Sequence, residues 1–174
     1  MSYDLRLFEI PQGVDASIAF EQLTEQEEAG IVRGGDQWWL EHPLPATTRA
    51  QMQQLADALK ARCATFVQFE PKSPLRWIEL NDEELQVQVE VYENSVSITM
   101  PYFRESSTDM IGCIARCIHV CYELRGYQAF DPQLGRVVTG DDRDRIAGAY
   151  HRANAAFPEV MAVHPTKKRW WKFW

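Results

Sequence analysis

From residue 85 to residue 100 the chain keeps a period of two. Leu85, Val87, Val89 and Val91 alternate with Gln86, Gln88, Glu90 and Tyr92, and after Glu93-Asn94 the residues Val96, Ile98 and Met100 alternate with Ser95, Ser97 and Thr99. Successive side chains of a strand point to opposite faces, so two such runs around a polar turn demand a hairpin with one dry and one wet face. A dry sheet face must be covered by a second layer. Helical spacing on both sides of the hairpin supplies it. Met52, Leu55, Leu59 and Cys63 share one stripe of a helix over about 47–63, and a helix over about 107–125 ends at Gly126, a suitable left-handed cap.

The remaining segments fit around this pair of layers. The Tyr, Leu and Phe content of residues 3–10 predicts a first strand, stopped by Pro11-Gln12-Gly13, and Val14, Ile18 and Leu23 recur at helical spacing behind Asp15 until Gly30. Residues 31–46 read as an irregular connection or a short strand. Phe66 and Phe69 flank one further short strand, and Trp77, Ile78 and Leu80 mark another. Residues 127–138, broken at Asp131-Pro132 and Gly135, read as a second extended pair, and Asp141 as the cap of a last helix reaching about residue 157. Most strands follow one another too closely for crossover helices. The expectation is an α+β fold: two layers, with a mostly antiparallel sheet covered by helices on one face. A chain of 174 residues that is 45% hydrophobic sustains one such core. Residues 1–157 are the expected domain and 158–174 a basic, Trp-rich tail.

Charge narrows the partners. The formal net charge is −7, from 18 bases and 25 acids, which argues against a surface that grips a phosphate backbone, so double-stranded nucleic acid is not an expected partner. Residues 1–30 hold seven acids against Arg6, and residues 79–93 hold six against none. One reading of these runs is a solvated surface; the sharper one is an acidic docking surface for a basic protein, carried by Glu25, Glu27, Glu28, Glu83 and Glu84. The tail reverses the sign. Residues 1–166 hold 14 bases and 25 acids, a charge of −11, whereas Lys167-Lys168-Arg169 and Lys172 are interleaved with Trp170, Trp171, Phe173 and Trp174. Docking on a protein surface ranks first for this tail, and membrane contact through Trp170, Trp171 and Trp174 second, because an acidic body is repelled by anionic lipid. The start of the chain lacks a basic segment followed by an apolar run, and no apolar stretch is of membrane-spanning length.

Four cysteines do not form the spaced framework of a secreted disulfide scaffold, so a reducing cytoplasm is expected. Cys113, Cys117 and Cys121 fall at i, i+4 and i+8 on one helix, with Cys63 on another as a conceivable fourth metal ligand. A straight helix spaces such thiols about 6 Å apart, awkward for three ligands around one ion. Met110, Ile114 and Leu124 continue the same stripe, and free cysteine packs as a small hydrophobe, so the expectation is core cysteines without metal or other cofactor. His42, His119, His151 and His164 lie in no motif with a nucleophile or acid, and Gly34-Gly35 is not followed by the Lys-Ser/Thr of a phosphate loop. A ligand pocket, if there is one, is expected around Trp38, Trp39, His42 and Asp131, since paired aromatics in a loop are costly to leave bare.

Ser2-Tyr3-Asp4-Leu5, Met100-Pro101-Tyr102 and Gly126-Tyr127-Gln128-Ala129-Phe130-Asp131-Pro132-Gln133 carry a resemblance. In these pieces the chain resembles small uncharacterised bacterial proteins that open on a Tyr-Asp-Leu strand and bear a late aromatic-Asp-Pro-Gln motif. The usual tyrosine of that motif is Phe130 here. Some of those proteins are similar to the immunity partners of bacterial toxins, which implies a protein-binding role. In physical terms the motif is a turn: Asp131 before Pro132 is pushed to an extended conformation and its carboxylate can cap the N–H groups of the next residues. The expected function is therefore a non-enzymatic module that binds a basic protein, with an enzyme built on a fold-assembled Cys/His site as the alternative.

Overall fold

The computed structural model describes residues 2–32, 43–69, 77–101 and 108–163. The strands are β1 (Ser2–Phe8), β2 (Val67–Gln68), β3 (Ile78–Asp82), β4 (Val87–Val91), β5 (Ser95–Pro101), β6 (Gln128–Asp131) and β7 (Arg136–Val138). The helices among the described residues are α1 (Ala16–Val32), α2 (Ala46–Arg62), α3 (Thr108–Arg125) and α4 (Arg143–Val163). The strands form one sheet in the order β2-β3-β4-β5-β1-β6-β7, with every neighbouring pair antiparallel. The expected α+β fold with an antiparallel sheet is the observed one.

Hydrophobic alternation decides which face is which. Val91 pairs with Val96 across the β4–β5 turn, where the Tyr92 N–H donates to the Ser95 carbonyl at 2.8 Å. Tyr3, Leu5 and Leu7 of β1 point to the same side as Val96, Ile98 and Met100, and all six are fully buried. Met52, Leu55 and Leu59 of α2, Met110 and Ile114 of α3, and Ile146 and Tyr150 of α4 close this face into one core. Fully burying an aliphatic side chain stabilises by about 1.5–3 kcal/mol, so this layer contact supplies most of the driving force for the fold.

The layering goes further than the sequence predicted. Phe8 and Phe130 alternate away from Leu7 and Ala129, and they form a second cluster with Ala19, Phe20 and Leu23 of α1. Helix α1 thus lies on the opposite face of the sheet from the other three. The Phe20 and Phe130 rings stand 5.0 Å apart, within the range of favourable aromatic pairs. The hairpin's polar face is correspondingly less wet than its sequence suggests. Ser95 and Ser97 are buried, and Arg6 reaches across from β1 to form an ion pair with Glu27 of α1 and to lie 5.1 Å above the Tyr92 ring.

Local signals hold with small shifts. Asp15 Oδ1 accepts the Ser17 N–H at 2.9 Å, as a cap should, and Val14 and Leu23 pack as expected, but Ile18 is half exposed and Ala19 takes its place on the buried face. The α4 cap is Asp142, not Asp141: its carbonyl accepts the Ile146 N–H at 2.9 Å and its carboxylate accepts from Thr139. That bonding holds the Asp142 carboxyl below its ordinary pKa. Gly126 adopts φ +66° after α3, with its N–H donating to the Tyr122 carbonyl, a conformation that favours glycine. Helix α4 runs through Val163, six residues past the expected end at 157.

Candidate functional site

Of the expected pocket, Trp38, Trp39 and His42 lie outside the described residues, as do Trp170, Trp171 and Trp174 of the tail. Asp131 is fully buried and its oxygens serve the fold. Its Oδ1 accepts the N–H groups of Gln133 at 2.9 Å and Leu134 at 3.1 Å, and its Oδ2 accepts the Tyr3 hydroxyl. The turn reading of Phe130-Asp131-Pro132-Gln133 accounts for these contacts. Asp82 repeats the device at the other side of the sheet, with Oδ1 accepting the Leu85 N–H at 2.8 Å and Oδ2 accepting the Thr65 hydroxyl.

The acids expected to dock a partner separate into two places. Glu25 is exposed on α1, which also carries Glu28, but Glu27 is tied to Arg6 and accepts the Ser95 hydroxyl at 3.0 Å. Glu83 and Glu84 are exposed in the β3–β4 turn. Glu27 therefore sits beside the β4–β5 turn and Glu83 beside the β3–β4 turn, at opposite ends of β4. At about 3.4 Å per residue, the five residues of β4 hold those ends some 15 Å or more apart. Glu79 and Glu90, from the same acidic run, face each other across β3 and β4, and burial raises the Glu90 carboxyl above its ordinary pKa despite the Tyr92 hydroxyl donated to it at 2.8 Å.

The chemically richest cluster lies where α2 packs on α3. Cys63 is the residue at which α2 ends, with its N–H still bonded to the Leu59 carbonyl at 2.9 Å. Cys113 and Cys117 stand one turn apart on the facing side of α3. The three Sγ atoms all lie within 4.8 Å of one another: Cys63 to Cys113 is 3.2 Å and Cys63 to Cys117 is 4.0 Å. None is in a disulfide, and all three are buried. The thiols of Cys113 and Cys117, aided by the Arg116 guanidinium, pull the Cys63 pKa down against the cost of burial. The Cys117 pKa rises through its bonds to Cys113 and Cys63 and through burial. For Cys113, the bond to Cys117 favours the thiolate, but the bond to Cys63 and burial outweigh it and the pKa rises. Within the trio the thiolate is thus favoured at Cys63 over Cys113 and Cys117. Cys121, the third member of the α3 stripe, is fully buried outside the group, and burial alone pushes its thiol up to about 12.

The sequence stripe is correct in burial for Met110, Cys113, Ile114, Cys117 and Cys121 but not for Leu124, which is exposed, and it does not give the grouping. Three thiols on one straight helix do not converge; two of them converge with one from the neighbouring helix. His119 does not join them. Its side chain is half exposed beside Gly140, with Nε2 3.7 Å from an Asp141 oxygen. A β-carbon on Gly140 would come within 2.9 Å of the Ala115 carbonyl, so glycine lets the chain before α4 pass close to α3. A cleft of about 250 Å³ between α1 and the end of β1, lined by Phe8, Glu9, Leu23, Gln26 and Tyr127, contains neither cysteine nor histidine. No described helix is long and apolar enough to cross a membrane. No family model, curated protein or solved structure matches the chain.

Proposed function

We propose that the protein acts by binding another protein with a basic surface, in the manner of an immunity-type protein that neutralises a basic toxin, and that it performs no chemistry on that partner. The observation that carries the reading is the distribution of charge. Residues 1–166 carry −11, and Glu25, Glu83 and Glu84 are exposed, while Asp82 and Asp131 are spent on turns. A field of this sign speeds the approach of a cationic partner. Two separated acidic places favour a partner that spans the end-to-end length of β4 over one that inserts a single basic loop. The alternative of an enzyme with a Cys/His site gains a thiol cluster but no histidine within it.

The test is capture of protein partners by the full chain from native lysate, with association of a recovered basic protein then measured over a salt series. The Debye length falls from about 10 Å at 0.1 M to about 3 Å at 1 M, so steered association slows steeply over that range. Reversal of Glu83 and Glu84 to lysine is expected to slow association and leave the thermal midpoint unchanged. Salt-independent binding, or turnover of a small substrate that vanishes when Cys63 becomes alanine, would refute the reading.

A further inference from the structure

The acidic exterior makes no use of the three thiols beneath α2. We propose that Cys63, Cys113 and Cys117 form a binding site for one soft, thiophilic metal ion, and that Cu(I) is the ion the site fits. This reverses the sequence expectation that the cysteines only fill the core, and it is independent of the protein-binding reading.

Size is the first argument. Metal–thiolate bonds of about 2.3 Å place three sulfurs around a central ion about 4 Å apart. The closest Sγ pair is 3.2 Å apart, another is 4.0 Å, and all lie within 4.8 Å. Displacements of about 1 Å or less would bring the three into an equilateral set. Placement is the second. Cys113 and Cys117 are a chelating i, i+4 pair on a packed helix, and Cys63 is held at the end of a second packed helix, where the Phe66 N–H bonds its carbonyl at 3.0 Å. Ligands on rigid elements need little ordering when the ion arrives.

The donor set selects the ion. Among the described residues no histidine or carboxylate joins the three sulfurs within this group. Such a set is soft and disfavours calcium, magnesium and manganese. A structural zinc ion takes four ligands. Three sulfurs complete the trigonal shell that Cu(I) accepts, and among the described residues no further Cys, His, Asp or Glu joins the group. Arg116 lies between Cys113 and Cys117 in the sequence of α3, with an exposed side chain whose positive charge favours negative charge on the sulfurs.

Core packing alone would produce buried cysteines too, and Cys121 is the internal comparison, since it is as buried as the others on the same helix but has no place in the sulfur group. The experiment uses the full chain, reduced, stripped of metal and kept without oxygen. Cu(I) is titrated against a competing coloured chelator, with Zn(II) in a parallel series. We expect one equivalent of Cu(I), a thiolate-to-copper absorption in the near ultraviolet, and three sulfurs at about 2.3 Å by X-ray absorption. Loss of a direct ligand should cost at least the 10-fold to 100-fold typical of supporting residues, so Cys63→Ser, Cys113→Ser and Cys117→Ser are each expected to weaken binding by about tenfold or more. Cys121→Ser is expected to leave it within about twofold of the natural protein. Circular dichroism of each variant, with alanine in place of any unfolded serine variant, separates lost ligand from lost fold. The natural chain decides the matter by itself: failure to hold one Cu(I) against the chelator overturns the site. Stoichiometric Zn(II) without Cu(I) overturns the choice of ion, and dependence on Cys121 but not Cys63 overturns the trio.

Discussion

Asp131 and the cysteine trio are both polar groups buried on the same face of the sheet, and they are satisfied to different degrees. Asp131 meets donors from three residues, and both of its oxygens are used. The sulfurs have chiefly one another, at 3.2 Å and 4.0 Å, and sulfur is a weak hydrogen-bond partner. A buried carboxylate with a full set of donors is a structural brace, because any ligand would have to displace bonds that cost nothing to keep. Clustered thiols still have strong valency to offer. The difference teaches where in this molecule burial means architecture and where it leaves room for chemistry.

The largest expected effect breaks the brace. Asp131→Ala removes the carboxylate that accepts from the Tyr3 hydroxyl and from the N–H groups of Gln133 and Leu134, of which Leu134 keeps the Asp131 carbonyl at 3.2 Å, and each lost buried bond costs about 1–3 kcal/mol. With relaxation and water entry the total loss of stability should be about 3–5 kcal/mol in urea denaturation. A loss below about 1 kcal/mol would show that Asp131 is no brace. Tyr3→Phe removes one donor and keeps the ring that stands 5.9 Å from Tyr150, so about 1–2 kcal/mol is expected from the same measurement.

Cysteine variants sharpen the other half of the comparison. Without metal, Cys117→Ala and Cys121→Ala each remove one buried sulfur from the same helix face, and each should cost about 1–2 kcal/mol. Added Cu(I) is expected to raise the thermal midpoint of the natural chain and of Cys121→Ala, but not of Cys117→Ala. Equal shifts in both variants would remove the distinction between the two thiols. The smallest effect concerns Glu90, on the opposite face, where burial raises the folded pKa. The folded state then holds a proton that the unfolded state releases, so stability falls as pH rises from the ordinary carboxylate pKa through the raised one. Glu90→Gln, which keeps an acceptor for the Tyr92 hydroxyl, should stabilise the protein slightly at pH 7 and leave it unchanged below about pH 4. A pH-independent difference would rule out titration of Glu90 as its cause.

Much of the fold was legible because it rests on short-range physics. The period of two gave β4 and β5, the stripe of Met52, Leu55, Leu59 and Cys63 gave the buried side of α2, and the Asp131-Pro132 turn carried its own geometry. What was not legible depended on docking. Nothing local tells which face of the sheet receives α1, since Phe8 and Phe130 meet Phe20 only after β1 and β6 pair. Asp141 and Asp142 are chemically equal as caps, and one residue of phase decides between them. The sulfur trio needed the packing of α2 on α3, which assigns Cys113 and Cys117 to Cys63 and leaves Cys121 aside. Any signal in the sequence was limited to Cys63 ending one apolar stripe and Cys113 and Cys117 lying within another.

The position of β1 between β5 and β6 sets an order of events during synthesis. Its neighbours lie more than 85 residues later in the chain, at Ser95–Pro101 and Gln128–Asp131, and the bond from Tyr3 to Asp131 spans 128 residues. The β3-β4-β5 meander is local and can form as it emerges, whereas closing the sheet around β1 must wait for distant contacts. Until that insertion, β5 presents an unpaired edge bearing Val96, Ile98 and Met100, which is the kind of surface on which unfinished chains pair with each other. A nascent chain of this protein is therefore most prone to self-association after residue 101 has left the ribosome and before β1 has found its place.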